Sequence, residues 1–210
     1  MRVGARLLTL QFLLASAAAS ATPQMNDDRA EQLIAKSRTT SVTYSLYNWN
    51  VIARPNQPSK EEWAAEFNEG SQHRVETPRA RIIADCAALK GTYLDLESGR
   101  TISNSQVARI ACGISSSKPI LSAKWLERIN SRFGSLDRIK VTDDSVIRTY
   151  DIADNGVLVN ATISDLDGTL QLKNWAVDLV PSLPETGIFS EASLARSVVP
   201  EKYKQRPAGP

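Results

Sequence analysis

Between Ser41 and Val180 short turn signals cut the chain at intervals that suit strands. They are Asn68-Glu69-Gly70-Ser71, Lys90-Gly91, Asn155-Gly156 and Asp167-Gly168. Asn-Gly is the strongest, because a type I′ hairpin turn needs positive φ at both central positions. Turns this short join antiparallel neighbours, whereas parallel strands need a crossover of a dozen or more residues. Eight segments read as strands from their β-branched and aromatic content: 41–53, 73–77, 81–86, 92–96, 136–141, 146–152, 157–163 and 170–180. Segment 60–69 admits two readings. Ser59 and Glu62 have capping-box spacing, which favours a helix. Trp63, Ala65 and Phe67 alternate with polar residues before a hairpin turn, which favours a strand. The strand is preferred because the run is short for a helix.

Helices are expected at four places. Asp27 caps a helix whose apolar face is Ala30, Leu33 and Ile34. Segment 104–112 reads as a short helix capped by Asn104 and stopped by Gly113, with a strand left open. Leu121, Trp125, Leu126, Ile129 and Phe133 fall at helical spacing between Ser122 and Gly134. Phe189, Ser190 and Leu194 start a helix that runs to about Val198 and that Pro200 stops. The expected fold class is α+β: a curved, mainly antiparallel sheet of about eight strands, able to form a half-barrel, with a few helices on one face.

The N-terminus carries Arg2 and Arg6, then the apolar run 7–15, then Ala19-Ser20-Ala21. That order is a secretory signal peptide, 1–21, cleaved after Ala21, and it is too short to span a membrane. The rest divides into one domain, 22–200, and a flexible tail, 201–210. Without Arg2 and Arg6 the acidic and basic residues balance. Nucleic-acid binding, which needs a basic excess, is disfavoured, and no stable membrane span is expected. The two cysteines, Cys86 and Cys112, should pair in a periplasmic or secreted protein.

Much chemistry is excluded. His73 is the lone histidine and reads as a water-facing strand residue. No G-x-S-x-G elbow, dinucleotide fingerprint or phosphate loop is present. Soft metal ligands are too few for zinc, and no cofactor is implied. Asp165 to Gly168 opens like a calcium loop, lacks the later ligands, and is better read as a hairpin turn. Asp143, Asp144 and Asp154 sit in turn chemistry as well. No residue is assigned a catalytic role. A hydrolase using scattered acids such as Asp85, Asp95 or Asp151 stays as an alternative.

Aromatic residues remain. Trp49, Trp63, Tyr93, Trp125 and Trp175 are either core or the walls of a ligand pocket. Arg74, Arg79 and Arg81 would be the polar groups of that pocket if they point inward. Alternation sets Arg79 and Arg81 opposite the apolar Ala80, Ile82 and Ala84, and so toward solvent or carboxylates.

The stretch from Ala65 to Gly99, with Pro78, Asp85, Gly91 and Tyr93 in order, resembles periplasmic lipoprotein carriers of the LolA/LolB type. It departs from them at Cys86. The resemblance implies an open half-barrel that shelters acyl chains under helices. The expected function is an exported, non-enzymatic binding module for an apolar small molecule or a cell-envelope protein. A structural envelope subunit is the third reading.

Overall fold

A computed structural model describes residues 27–54, 56–114 and 118–207. The expected signal peptide, 1–21, lies outside the described residues. After the helix Asp28–Arg38 (α1), six strands follow: Tyr44–Arg54 (β1), Gln57–Glu69 (β2), Gln72–Glu76 (β3), Ala80–Asp85 (β4), Lys90–Asp95 (β5) and Thr101–Asn104 (β6). A short helix, Ser105–Ala111 (α2), leads to Ser122–Ser131 (β7), Gly134–Thr142 (β8), Val146–Ala153 (β9), Leu158–Asp165 (β10) and Leu170–Val180 (β11). All neighbours pair antiparallel in one 11-stranded sheet of order β6-β5-β4-β3-β2-β1-β11-β10-β9-β8-β7. Two meanders thus meet where β1 pairs with β11, and β6 and β7 remain as open edges.

The count exceeds the expected eight because β2, β6 and β7 are all strands. Segment 121–133, expected as a helix, is strand β7. Its helical spacing has two sources. Leu121 and Leu126 are exposed, so they belong to no buried stripe. A bulge between Trp125 and Glu127 also breaks the two-residue alternation. The expected helix from Ser190 to Val198 is only a 3₁₀ turn, Glu191–Ala195, without a side-chain cap from Ser190.

Both helices lie on one face. Asp27 caps α1 by accepting from the Arg29 amide at 2.9 Å. Ala30, Leu33 and Ile34 then pack on Ala123, Ile139, Tyr150 and Ile152. Helix α2 sits directly on β5: a Cβ at Gly91 would lie 2.6 Å from the Ala108 backbone nitrogen. Gly113, at φ 64°, brings the end of α2 against Ser37 at the end of α1. The Cys86–Cys112 disulfide ties the end of β4 to the end of α2, with Cα atoms 5.7 Å apart. One register row on this face runs Gly91, Ala84, His73, Asn68, Tyr44 across five strands.

The opposite face of β1–β5 is covered by the chain after Val180. Ile188, Val198 and Val199 pack on Tyr47, Ala65 and Phe67. The tail expected to be free packs too, as far as Pro207. Tyr203 stacks on Tyr47 with ring centroids 3.7 Å apart, and its hydroxyl donates to Asp178.

Candidate functional site

The arginines of β3 and β4 hold this C-terminal strap. Arg74 is fully buried. It donates to Glu76, to the carbonyls of Ile188, Ser193 and Arg196, and to the Ser193 hydroxyl. Burial pushes its pKa down, and the adjacent Glu76 carboxylate opposes that shift. Arg81 is also turned in, donating to the Leu194 carbonyl at 2.7 Å and lying 3.6 Å from Glu76. It therefore does not face solvent, although Arg79 is half exposed and pairs with Glu62. Arg74 and Arg81 point inward, and strap backbone fills the space in front of them.

His73 is buried, not water-facing. Its Nδ1 lies 3.3 Å from Asn68 Oδ1 and its Nε2 3.9 Å from Glu66. Burial lowers its pKa to about 4 and raises that of Glu66 to about 7. The space beside them measures about 20 Å³, enough for one water and too small for an acyl chain.

Of the aromatic candidates, the sheet brings three together. Trp63, Trp49 and Trp175 are register partners on β2, β1 and β11, side by side on the strap face. Trp49 is core, with its Nε1 donating to Glu61 at 3.0 Å. The tail runs past this row. Lys204 lies over Trp63, Arg206 pairs with Glu61, and Pro207 reaches the surroundings of Trp175. The other two candidates lie elsewhere. Tyr93 is on the helix-bearing face of β5, beside Ile82 and Ile102. Trp125 is on the edge strand β7 near Arg29 and Asp137.

Beyond Trp175 the sheet opens into a groove of about 580 Å³. Half-buried Trp175 and Phe133 form its aromatic part. Phe133 arrives on the β7–β8 hairpin, where Arg132 donates to the carbonyls of Ala176 and Val177 at 3.1 and 2.7 Å. The polar floor is Arg138, Asp151, Asn160 and Thr162. Arg138 binds Asp151 through two hydrogen bonds of 2.7 and 3.1 Å, and Asn160 donates to the same carboxylate at 2.9 Å. The Asp151 hydrogen bond raises the Arg138 pKa, so the floor stays charged. Sequence reasoning missed Phe133 and Arg132 as groove residues because it placed them in a helix. It missed Arg138 and Asn160 because polar strand residues look like a solvated face.

A second groove, of about 600 Å³, lies between β4–β6 and the strap. Among the described residues its one aromatic ring is Phe189. Its acids are already engaged: Asp85 accepts from the Ala87 and Ala88 amides, and Glu191 from Thr92. The groove at Trp175 has the richer recognition chemistry.

The acids weighed for a hydrolase do not converge. Asp85 and Asp95 cap turns at opposite ends of the β4–β5 pair, about 17 Å apart along the strands. Asp151 is locked to Arg138. Among the described residues no cluster of His, Cys, Asp or Glu could hold a metal ion, and no helix is long and apolar enough to cross a membrane.

No known sequence family and no curated protein matches the chain. Solved structures do. An uncharacterized conserved protein from Thermus thermophilus aligns with a TM-score of 0.51 at 9% identity, over 84% of this chain and 97% of that one. The two share a fold. A LolA superfamily protein from Nitrosomonas europaea aligns at 0.44 and 9% identity, over 79% and 99%. MucB, in the Pseudomonas aeruginosa MucA/MucB complex structure, aligns at 0.49 and 10% identity, over 72% of this chain and 56% of that one. The solved structures that align with the chain include LolA-type proteins, at 8–9% identity.

Proposed function

We propose that the protein is an exported, non-enzymatic binding module of the cell envelope, and that it takes its ligand in the open groove at Trp175. The groove carries the reading. It sets two half-buried aromatic rings beside a fixed polar floor, the combination by which small-molecule sites gain both affinity and orientation. The interior offers less. Leu33, Ile34, Ile139 and Ile152 pack together between α1 and the sheet, where an acyl chain would otherwise lie. The buried acids support a binding role over hydrolysis. Asp137, Asp143 and Asp151 are each engaged by arginine, and Glu76 by Arg74. Export is supported by the N-terminal signal pattern and by the disulfide.

The test is a titration of the mature protein with N-phenyl-1-naphthylamine, an uncharged aromatic dye that fluoresces when sheltered. Saturable binding is expected, weakened about tenfold or more in Trp175→Ala and unchanged in Trp125→Ala. Circular dichroism of each variant confirms that the sheet is intact. Dye binding that ignores Trp175 refutes the reading.

A further inference from the structure

Two cations at the groove, Arg132 and Lys173, meet no carboxylate at ion-pair distance among the described residues, while Arg138 is balanced by Asp151 and Glu127. Each of the two lies instead over a ring of the groove. The Arg132 guanidinium carbon is 4.8 Å from the Phe133 centroid, and the Lys173 ammonium is 5.9 Å from that of Trp175. Arg132 is also oriented. Its Nη2 makes both bonds to the β11 carbonyls, which leaves the donors on Nη1 and Nε without a partner among the described residues. Each of these free donors can give a single charge-assisted hydrogen bond to a carboxylate or a similar anion.

The floor narrows the rest of the ligand. An alkyl chain laid over the partly exposed Asn160 and Thr162 would strip their water and return no hydrogen bond, which is costly. A polyhydroxylated ring would return those bonds. The apolar face of such a ring also suits the flat surface of Trp175. We propose that the ligand is an acidic saccharide. Its sugar face stacks on Trp175, its hydroxyls meet Asn160 and Thr162, and its carboxylate lies between Arg132 and Lys173. This inference rests on the binding reading above, and it goes beyond it in naming the ligand's chemistry.

The test displaces bound N-phenyl-1-naphthylamine from the full mature protein. The competitors are a panel of trisaccharides built from galacturonate, mannuronate or glucuronate, their methyl esters, and sodium octanoate. At least one uronate trisaccharide is expected to displace the dye. Its ester should do so about tenfold less well, and rising salt should weaken the acid alone. Lys173→Gln, a change on an exposed side chain, should lower the acid's affinity and leave that of the ester unchanged; Lys173→Arg should retain it. If the dye binds through Trp175 but no uronate displaces it, the saccharide inference fails and the binding reading stands. Equal competition by acid and ester, or stronger competition by octanoate, also overturns it. Absence of Trp175-dependent dye binding removes the underlying reading itself.

Discussion

Arg74 donates to Ser193 twice, to the hydroxyl at 2.7 Å and to the carbonyl at 3.2 Å, and so fastens the C-terminal strap to strand β3. The same guanidinium is 2.7 Å from Glu76, and both side chains are fully buried. Removing Arg74 would leave the buried Glu76 carboxylate with only the longer contact to Arg81, 3.6 Å away, and the Val198 amide. Arg74→Met should therefore destabilise the protein by about 3–5 kcal/mol. The double change Arg74→Met with Glu76→Leu should recover a substantial part of that loss, since it removes both charges. Urea unfolding of the wild type and the two variants reads this directly. Equal loss in the single and double variants would mean that the ion pair contributes nothing and that only the strap contacts matter.

These contacts also show where the sequence was legible. Local signals worked. Asp27 with Ala30, Leu33 and Ile34 gave α1, Asn104 and Gly113 bounded α2, and the Asn155-Gly156 turn gave the β9–β10 hairpin. The Cys86–Cys112 pair followed from the cysteine count. Features set by distant partners were hidden. Alternation put Arg81 on a polar face, but that face is itself buried, because residues more than a hundred positions away lie across it. Strand β7 was misread because its bulge and its exposed leucines mimic a helical stripe. Three of the five aromatic candidates meet in one row, yet only register, which sequence does not display, makes Trp63, Trp49 and Trp175 neighbours.

The disulfide closes a loop of 26 residues that contains β5, β6 and α2. In the chain-entropy model a loop of that length is worth about 3.5 kcal/mol. Cys86→Ala with Cys112→Ala should lower the stability by about that amount in urea, with α2 loosened first. A loss below about 1 kcal/mol would show that α2 holds to the sheet without the bridge.

Gly91 marks the closest approach of helix to sheet. A methyl group there would meet the Ala108 nitrogen at 2.6 Å and the Val107 side chain at 3.0 Å. The backbone nitrogen cannot swing away as a side-chain tip can, so α2 must shift. Gly91→Ala should destabilise by roughly 1–3 kcal/mol. It should also speed amide exchange across residues 105–111 relative to strands β8 and β9. Unchanged exchange in α2 would contradict the close contact.

Glu66 and His73 give the fold opposing responses to pH. The Glu66 carboxyl is raised from 4.5 to about 7 by burial. Its contribution is therefore full below about pH 4.5 and is lost as pH rises through about 7. His73 is lowered from 6.5 to about 4, also by burial. Its contribution is full above about pH 6.5 and is lost as pH falls through about 4. Between roughly pH 4.5 and 6.5 the two slopes oppose each other, so the wild-type protein should show little net dependence from this pair. Single variants separate them. Glu66→Gln should leave a stability that rises with pH between about 4 and 6.5. His73→Gln should leave one that falls with pH between about 4.5 and 7. Urea midpoints at about pH 4, 5.5 and 7 measure both slopes. Parallel profiles for the two variants would show that neither group titrates away from its ordinary range, and that the contact between them does not shape the stability of the helix-bearing face.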